Sequence, residues 1–214
     1  MSLGFLLALE GLDGAGKTTL AHRLRQELSS LGQRVVVLKE PTQGPVGQKI
    51  RTLLKDGRPG WLSPDAELEL FIEDRQWDVT TNINPALAQG GVVILDRYII
   101  SNLAYQGALG LDPAKILAAN TQFPWPDATA LLEVSPALGL KRITQSRGEK
   151  PNLAFERADF LEKVQAVFNS IFNDPSAYRL TGLHRLDGQQ SPEELTRGCL
   201  NLLRPFLAAN PAKA

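Results

Sequence analysis

Residues Gly11 to Thr18 read Gly-Leu-Asp-Gly-Ala-Gly-Lys-Thr, and no other stretch limits so closely what this chain can fold into. The spacing G-x-x-x-x-G-K-[ST] carries meaning only when a strand feeds the loop and a helix leaves it. Both neighbours are present. An apolar run from Phe5 to Leu9 comes before, and Lys17 to Leu31 places Leu20, Ala21, Leu24, Leu28 and Leu31 at helical spacing ahead of Gly32. Glycines let the loop curl with its backbone N–H groups pointing inward, and the helix N-terminus adds partial positive charge, so the curl suits a phosphate. Gly11, Asp13, Gly14, Ala15, Gly16, Lys17, Thr18 and Thr19 become the candidate nucleotide-phosphate residues. Lys17 is placed to reach the outer phosphates, and the Thr18 hydroxyl to ligate Mg²⁺.

Further apolar runs occur at Val35 to Leu38, Val92 to Leu95 and Ala130 to Val134, with a less distinct one at Tyr178 to Leu186. Continuous runs of this length, separated by helix-length segments, predict parallel strands buried on both faces, hence an α/β fold with helices on both sides of the sheet. The pattern also predicts a long amphipathic helix from Ala66 to Leu87, another from Asp159 to Phe172, and a last one towards Phe206. That last helix is opened by Ser191-Pro192-Glu193-Glu194, with Ser191 as cap and proline in the first turn. At about 150 residues per domain, 214 residues give one domain, read as 1–207 with a frayed tail at 208–214.

Composition narrows the function. The 23 Lys and Arg balance 23 Asp and Glu, so bulk positive charge for nucleic acid is missing and any anion must be met by local geometry. One cysteine, Cys199, and two histidines, His22 and His184, cannot build a disulfide or a Cys/His zinc cluster. The N-terminal apolar run has no basic flank and stops at Glu10, unlike a signal peptide. No run approaches the roughly 18 apolar residues of a membrane span, so a soluble cytoplasmic protein without membrane partners is expected. A phosphate loop alone leaves kinase, motor, switch or regulator open. An Asn-Lys-x-Asp base-reading element is absent from the sequence, and the compact neutral format suits a small-molecule phosphoryl transferase.

One segment departs from this neutrality. Lys141, Arg142, Arg147, Lys150 and Arg157 outnumber Glu149 and Glu156 between Lys141 and Arg157, with Gly148 and Pro151 as backbone breakers. It reads either as a mobile basic loop between two helices or as a solvated face.

Several motifs in order then carry a family resemblance: "EGLDGAGKTT" after Phe5, "EPTQGPVGQKIR" from Glu40 to Arg51, "LFIEDR" from Leu70 to Arg75, "DRY" from Asp96 to Tyr98 and "LAYQG" from Leu103 to Gly107. Together they resemble thymidylate kinase, over nearly the whole chain to about residue 207. The resemblance implies a P-loop kinase three-layer fold with a five-stranded parallel sheet and a short basic lid at about 143–155. It also implies ATP and dTMP as partners, Mg²⁺ as cofactor and, as is common in the family, a homodimer.

It further implies roles for residues. Arg97 is similar to the arginine that grips the dTMP phosphate, and its planar fork suits that contact. Asp96, at the carboxyl end of its strand, is a candidate for holding Mg²⁺ through water, with a cap for the segment beginning at Tyr98 as the alternative. Phe71 would stack on thymine and Arg75 donate to its O4, although an aromatic on an amphipathic helix also suits the core. Tyr105 and Gln106 would flank deoxyribose and base, where the tyrosine ring excludes a 2′-hydroxyl. Glu40 and Asn102 join the substrate side. Asp13 resembles the carboxylate that takes the acceptor 3′-hydroxyl, or is a turn residue beside Gly14. Gly14 stands where some members carry arginine, which moves the transition-state charge to the lid, to Arg147 and Lys150. Arg142 is similar to an arginine on the adenine side. The chain departs from the family at Lys39, in place of an arginine near the acceptor phosphate, at Asn102, where serine is frequent, and at Trp77, which reads as core or site wall.

Overall fold

In the computed structural model, residues 4–55, 57–147 and 157–210 are described, the side chains of residues 146 and 147 excepted. Five strands form one wholly parallel sheet: β1 (Phe5–Glu10), β2 (Val35–Lys39), β3 (Val92–Asp96), β4 (Ala128–Glu133) and β5 (Leu183–Asp187), in the order β2-β3-β1-β4-β5. The central strands β1 and β3 are buried at every residue, which is why they read as unbroken apolar runs, whereas the edge strands are partly exposed. The α/β fold expected from the sequence is present, with the main core on one side of the sheet around Leu24, Leu28, Val164 and Phe168, and a smaller one around Leu6, Val93 and Phe123.

Helices α1 (Lys17–Ser30), α2 (Pro45–Lys55), α3 (Pro64–Asp78), α4 (Asn84–Ala88), α5 (Ile99–Ala108), α6 (Pro113–Asn120), α7 (Pro136–Arg147), α8 (Ala158–Asn173) and α9 (Pro192–Ala209) connect and cover the strands. At α9 the expected capping works in both directions: Ser191 Oγ accepts from Glu194 N at 3.2 Å, and Glu194 Oε2 accepts from Ser191 N at 2.9 Å.

The structure corrects four boundaries. The helix read from Ala66 to Leu87 begins earlier, at Pro64, because Ser63 accepts from Ala66 N at 3.1 Å; it is then interrupted by a π-helical turn at Val79–Ile83. Pro85 has no N–H to offer a carbonyl one turn back, so the regular helical ladder cannot continue through this point. Tyr178 to Leu186 is not one strand: Pro175–Tyr178 is a 3₁₀ turn, Arg179 is left-handed at φ 55, and β5 starts only at Leu183. Lys141 to Arg147 belongs to α7 and not to a loop, and α9 runs through Ala209, two residues into the stretch expected to fray. Lys150 and residues 148–156 of the expected lid lie outside the described residues. Among the described residues no helix is long and apolar enough to cross a membrane.

Candidate active site

Parallel strands deliver their C-terminal ends, and the loops that follow, to one edge of the sheet, which is where ligands bind in open α/β folds. Three loops meet there: Gly11–Gly16 after β1, Glu40–Gly44 after β2, and Arg97–Tyr98 after β3. They border two cavities that share Asp13 and Lys39 as common wall.

The first cavity, about 410 Å³, is lined by the glycine-rich loop from Asp13 to Thr19, Lys39, Asp96 and Arg142. Gly16 takes φ +101 at the head of α1 with open space where a Cβ would be, so its backbone can face a ligand directly. Gly14 takes φ +79 and lies against the Gly139 carbonyl, where a side chain would collide. Gly11 sits beneath the loop. Its carbonyl accepts from Lys17 Nζ at 3.0 Å, and that of Leu12 accepts at 2.8 Å. Burial, followed by the charge of Arg97, brings the Lys17 ammonium down to about 8. Arg142 donates to the Gly188 carbonyl at 2.9 Å and reaches Gly14 O at 3.5 Å, tying α7 to the loop.

Thr18 and Asp96 meet directly, the hydroxyl donating to Oδ2, which also pairs with Lys39 Nζ at 3.0 Å. Burial alone would raise the Asp96 carboxyl, but Lys17 and Lys39 hold it below its ordinary range. Its Oδ1 is buried without a hydrogen-bond partner. A hydroxyl beside a carboxylate with a spare oxygen fits Mg²⁺, which takes few protein ligands and keeps waters and phosphate oxygens. Among the described residues no cluster of three His, Cys, Asp or Glu offers a fuller metal cage. Asp96 does not cap α5: that position is Tyr98, without a side-chain cap.

The second cavity, about 360 Å³, is lined by Asp13, Lys39, Glu40, Arg51, Phe71, Arg97, Ser101, Asn102, Tyr105 and Gln106, with Pro41, Ile50, Leu54 and Lys55. Arg97 holds φ +75, a left-handed value that costs any residue carrying a Cβ, and its guanidinium is fixed at three points. Nη2 donates to Asp13 Oδ1 and to Tyr105 OH, each at 2.9 Å, and Nη1 to Ser101 Oγ at 3.1 Å. Burial would raise Asp13, but Arg97 and Lys17 keep its carboxyl well below the usual range. Phe71 is half-buried; it packs on Ile50, Leu54 and Leu62 and also faces the cavity, so its core and wall readings both apply.

Arg75 is buried behind this wall and does not line the cavity. Nε and Nη2 hold the Glu40 carboxylate at 3.0 and 2.5 Å, and Nη1 donates to Asn102 Oδ1 at 2.6 Å and to Asn120 Oδ1. Tyr98 lies under the guanidinium at 4.7 Å. Burial pushes the Glu40 carboxyl up, against the pull of Arg75. Trp77 is neither core nor wall of either cavity: it is 41% exposed on the outer face of α3.

Sequence reasoning missed Glu10. This residue ends β1 fully buried and accepts from the backbone N–H groups of Tyr98 and Ser101 at 3.0 and 3.1 Å, and from Ser101 Oγ at 2.5 Å. It therefore satisfies the N-terminus of α5 from a neighbouring strand. The signal was available: a lone carboxylate closing an apolar strand, read only as the end of the run. Arg51, which donates to the Pro41 and Thr42 carbonyls, and Asp74, which accepts from Thr42 N at 2.7 Å, shape the loop after β2.

A parallel sheet with a glycine-rich phosphate cradle after β1 and an adjoining cavity walled by arginine define a P-loop nucleotide phosphotransferase. A family model described as thymidylate kinase matches residues 9–196. The chain is 46% identical over 194 residues to the thymidylate kinase of Xanthomonas oryzae pv. oryzae (strain PXO99A), covering 91% of this chain and 80% of that protein. It is 48% identical over 168 residues to that of Desulfotalea psychrophila, covering 78% and 82%. The chain belongs to the thymidylate kinase family.

Proposed function

We propose that the chain transfers the γ-phosphoryl group of ATP to dTMP, giving ADP and dTDP. The observation that carries this reading is the pair of cavities joined through Asp13 and Lys39, one built on the phosphate loop and the other on Arg97. ATP occupies the first, its phosphates on the loop N–H groups and Lys17, with Arg142 towards the adenine. A dTMP phosphate oxygen attacks the γ-phosphorus in line, the bond to the β-γ bridging oxygen breaks, and that oxygen leaves with ADP. Because phosphoryl transfer needs charge stabilisation and positioning more than covalent help, the chain contributes fixed cations: Lys17 on the donor side, Arg97 and Lys39 on the acceptor side. Thr18 and Asp96 would hold Mg²⁺, which neutralises phosphate charge when bound. Asp13 meets the deoxyribose 3′-hydroxyl and, through its ion pair, aims Arg97. Phe71 stacks on thymine, with Tyr105, Gln106, Asn102 and Glu40 around sugar and base. Arg75 acts from behind this wall on Glu40 and Asn102. Arg147 and Lys150 are the cations this reading leaves to the lid.

The fully assembled enzyme is a homodimer working in the cytoplasm. A groove of about 790 Å³ on the outer side of α3 and α6, with the exposed Trp77 and the half-buried Ile72 among its lining and Leu68 at its floor, supports a face covered by a second copy.

Following ADP release from Mg-ATP with each nucleoside monophosphate in turn checks the substrate. Turnover with dTMP is expected. Turnover with AMP, GMP or CMP and none with dTMP would sink the reading, and ATP binding without acceptor-dependent ADP release would make the chain a regulator.

A further inference from the structure

Glu10 closes β1 wholly buried and borders neither cavity. Its carboxylate nevertheless takes three donors from one short stretch: Tyr98 N at 3.0 Å and Ser101 N at 3.1 Å on Oε1, and Ser101 Oγ at 2.5 Å on Oε2. That stretch begins directly after Arg97, the residue held at φ +75. The start of a helix needs acceptors for its N–H groups, which accounts for the two backbone bonds. It does not account for the hydroxyl, nor for the strained residue next to all three donors.

Two peptide planes meet at the Arg97 Cα, and φ and ψ describe how they are turned against each other. β1 pins both planes. Leu9 O accepts from Arg97 N at 3.0 Å and the Glu10 carboxylate accepts from Tyr98 N, so consecutive residues of a central strand grip the N–H group on either side of Arg97. A left-handed conformation persists at a residue with a Cβ only where its surroundings over-determine it. Half of that grip is main chain; the other half is the Glu10 side chain.

The same carboxylate reaches the guanidinium at one remove. Asp13 and Tyr105 both take Nη2, while the second arm of the fork, Nη1, rests on Ser101 Oγ at 3.1 Å. Ser101 has one hydroxyl proton and spends it on Glu10, so its oxygen is anchored from below and meets Arg97 as an acceptor.

We infer that Glu10 is a positioning residue for the acceptor phosphate: from beneath the cavity it holds Arg97 in its left-handed conformation through Tyr98 N–H and steadies the guanidinium through Ser101. The inference rests on the dTMP reading above, in which Arg97 meets the phosphate of dTMP. Glu10 itself touches no substrate. Its loss is therefore felt by a nucleotide that carries the phosphate and not by the nucleoside that lacks it.

The test titrates dTMP and thymidine calorimetrically, without ATP, into wild type, Glu10→Ala and Glu10→Gln, and repeats both substitutions in an Arg97→Met background, with melting temperatures alongside. Glu10→Ala drops both grips. Glu10→Gln guards against failure of that variant to fold, since an amide oxygen still accepts from the two backbone N–H groups. Its nitrogen can only donate, so the Ser101 hydroxyl loses its acceptor and meets donors from both sides. Glu10→Gln is expected to weaken dTMP binding by about tenfold, and Glu10→Ala by more, with thymidine binding changed by less than about twofold. With Arg97 already replaced, Glu10→Gln should cost dTMP less than about twofold further, because the two residues act as one unit. An equal loss for dTMP and thymidine in Glu10→Gln, or the same tenfold loss when Arg97 is absent, would overturn the inference and leave Glu10 as a helix cap alone. Absence of dTMP binding by wild type would overturn the substrate reading beneath it, whereas dTMP binding with an unchanged dTMP-to-thymidine ratio in Glu10→Gln overturns this inference alone.

Discussion

The two cavities are built by opposite means. The donor side is built mainly on one stretch of chain, Asp13 to Thr19, whose working groups are backbone N–H groups held by glycine dihedrals and Lys17, with Lys39, Asp96 and Arg142 added at its border. The acceptor side is assembled from the loop after β2, from α2, α3 and α5, through side chains whose partners lie 27 to 45 residues apart in sequence at Arg75 alone. Local backbone geometry tolerates loss of one side chain, whereas a closed buried polar network does not, because each member left unpaired carries a desolvation cost.

That contrast sets the largest expected effect. Lys17→Met should lower kcat by about 10²–10³-fold, the usual loss for one preorganised donor at a developing charge, while the melting temperature stays near wild type. A large loss of stability with catalysis intact would break the comparison from the donor side. On the acceptor side the order reverses. Arg75→Ala leaves Glu40 buried without its partner and should cost about 3–5 kcal/mol of stability in denaturant titration, as broken buried pairs do. A stability change near zero would mean that the network does not bind the helices together.

Smaller effects sharpen the boundary between the halves. Arg97→Lys keeps the charge but loses the fork that meets Asp13, Tyr105 and Ser101 together, and should lower kcat/KM for dTMP by about 10–100-fold with ATP affinity nearly unchanged. An equal effect on ATP binding would show that the cavities are not separable there. The smallest effect is a pH dependence confined to the donor side. Burial, then Arg97, brings Lys17 down to about 8, so below that pH the ammonium meets phosphate already charged. Above it, binding must take up a proton, and ATP affinity in calorimetric titration should weaken by up to about tenfold per pH unit. Lys17→Met should abolish that slope. A slope that persists would belong to another group.

The same contrast explains what the sequence revealed. β1, the phosphate loop and α1 follow from contiguous residues, since strand burial, glycine dihedrals and helical spacing are all local, and the capping box at Ser191 is legible for the same reason. The acceptor side is different. Only family resemblance points to Phe71 and Tyr105, and Arg75, expected to donate to thymine, faces Glu40, Asn102 and Asn120 behind the wall. Nothing in the spacing of α3 tells which face of an amphipathic helix meets a polar network and which meets the core. Glu10 shows the same gap: its partners, the N–H groups of Tyr98 and Ser101, are brought to it by strand order alone. Charge neutrality likewise masked the site, because Lys17, Lys39 and Arg97 converge there in partnership with Asp13 and Asp96.

The central claim is that the two halves work on one phosphoryl group, and product accounting addresses it most directly. Protein mixed with ATP, Mg²⁺ and dTMP should form ADP and dTDP in equal molar amounts, with ADP formation falling to background when dTMP is withheld. ADP appearing without matching dTDP, or at the same rate without dTMP, would show that the acceptor cavity takes no part in the transfer and would contradict the account.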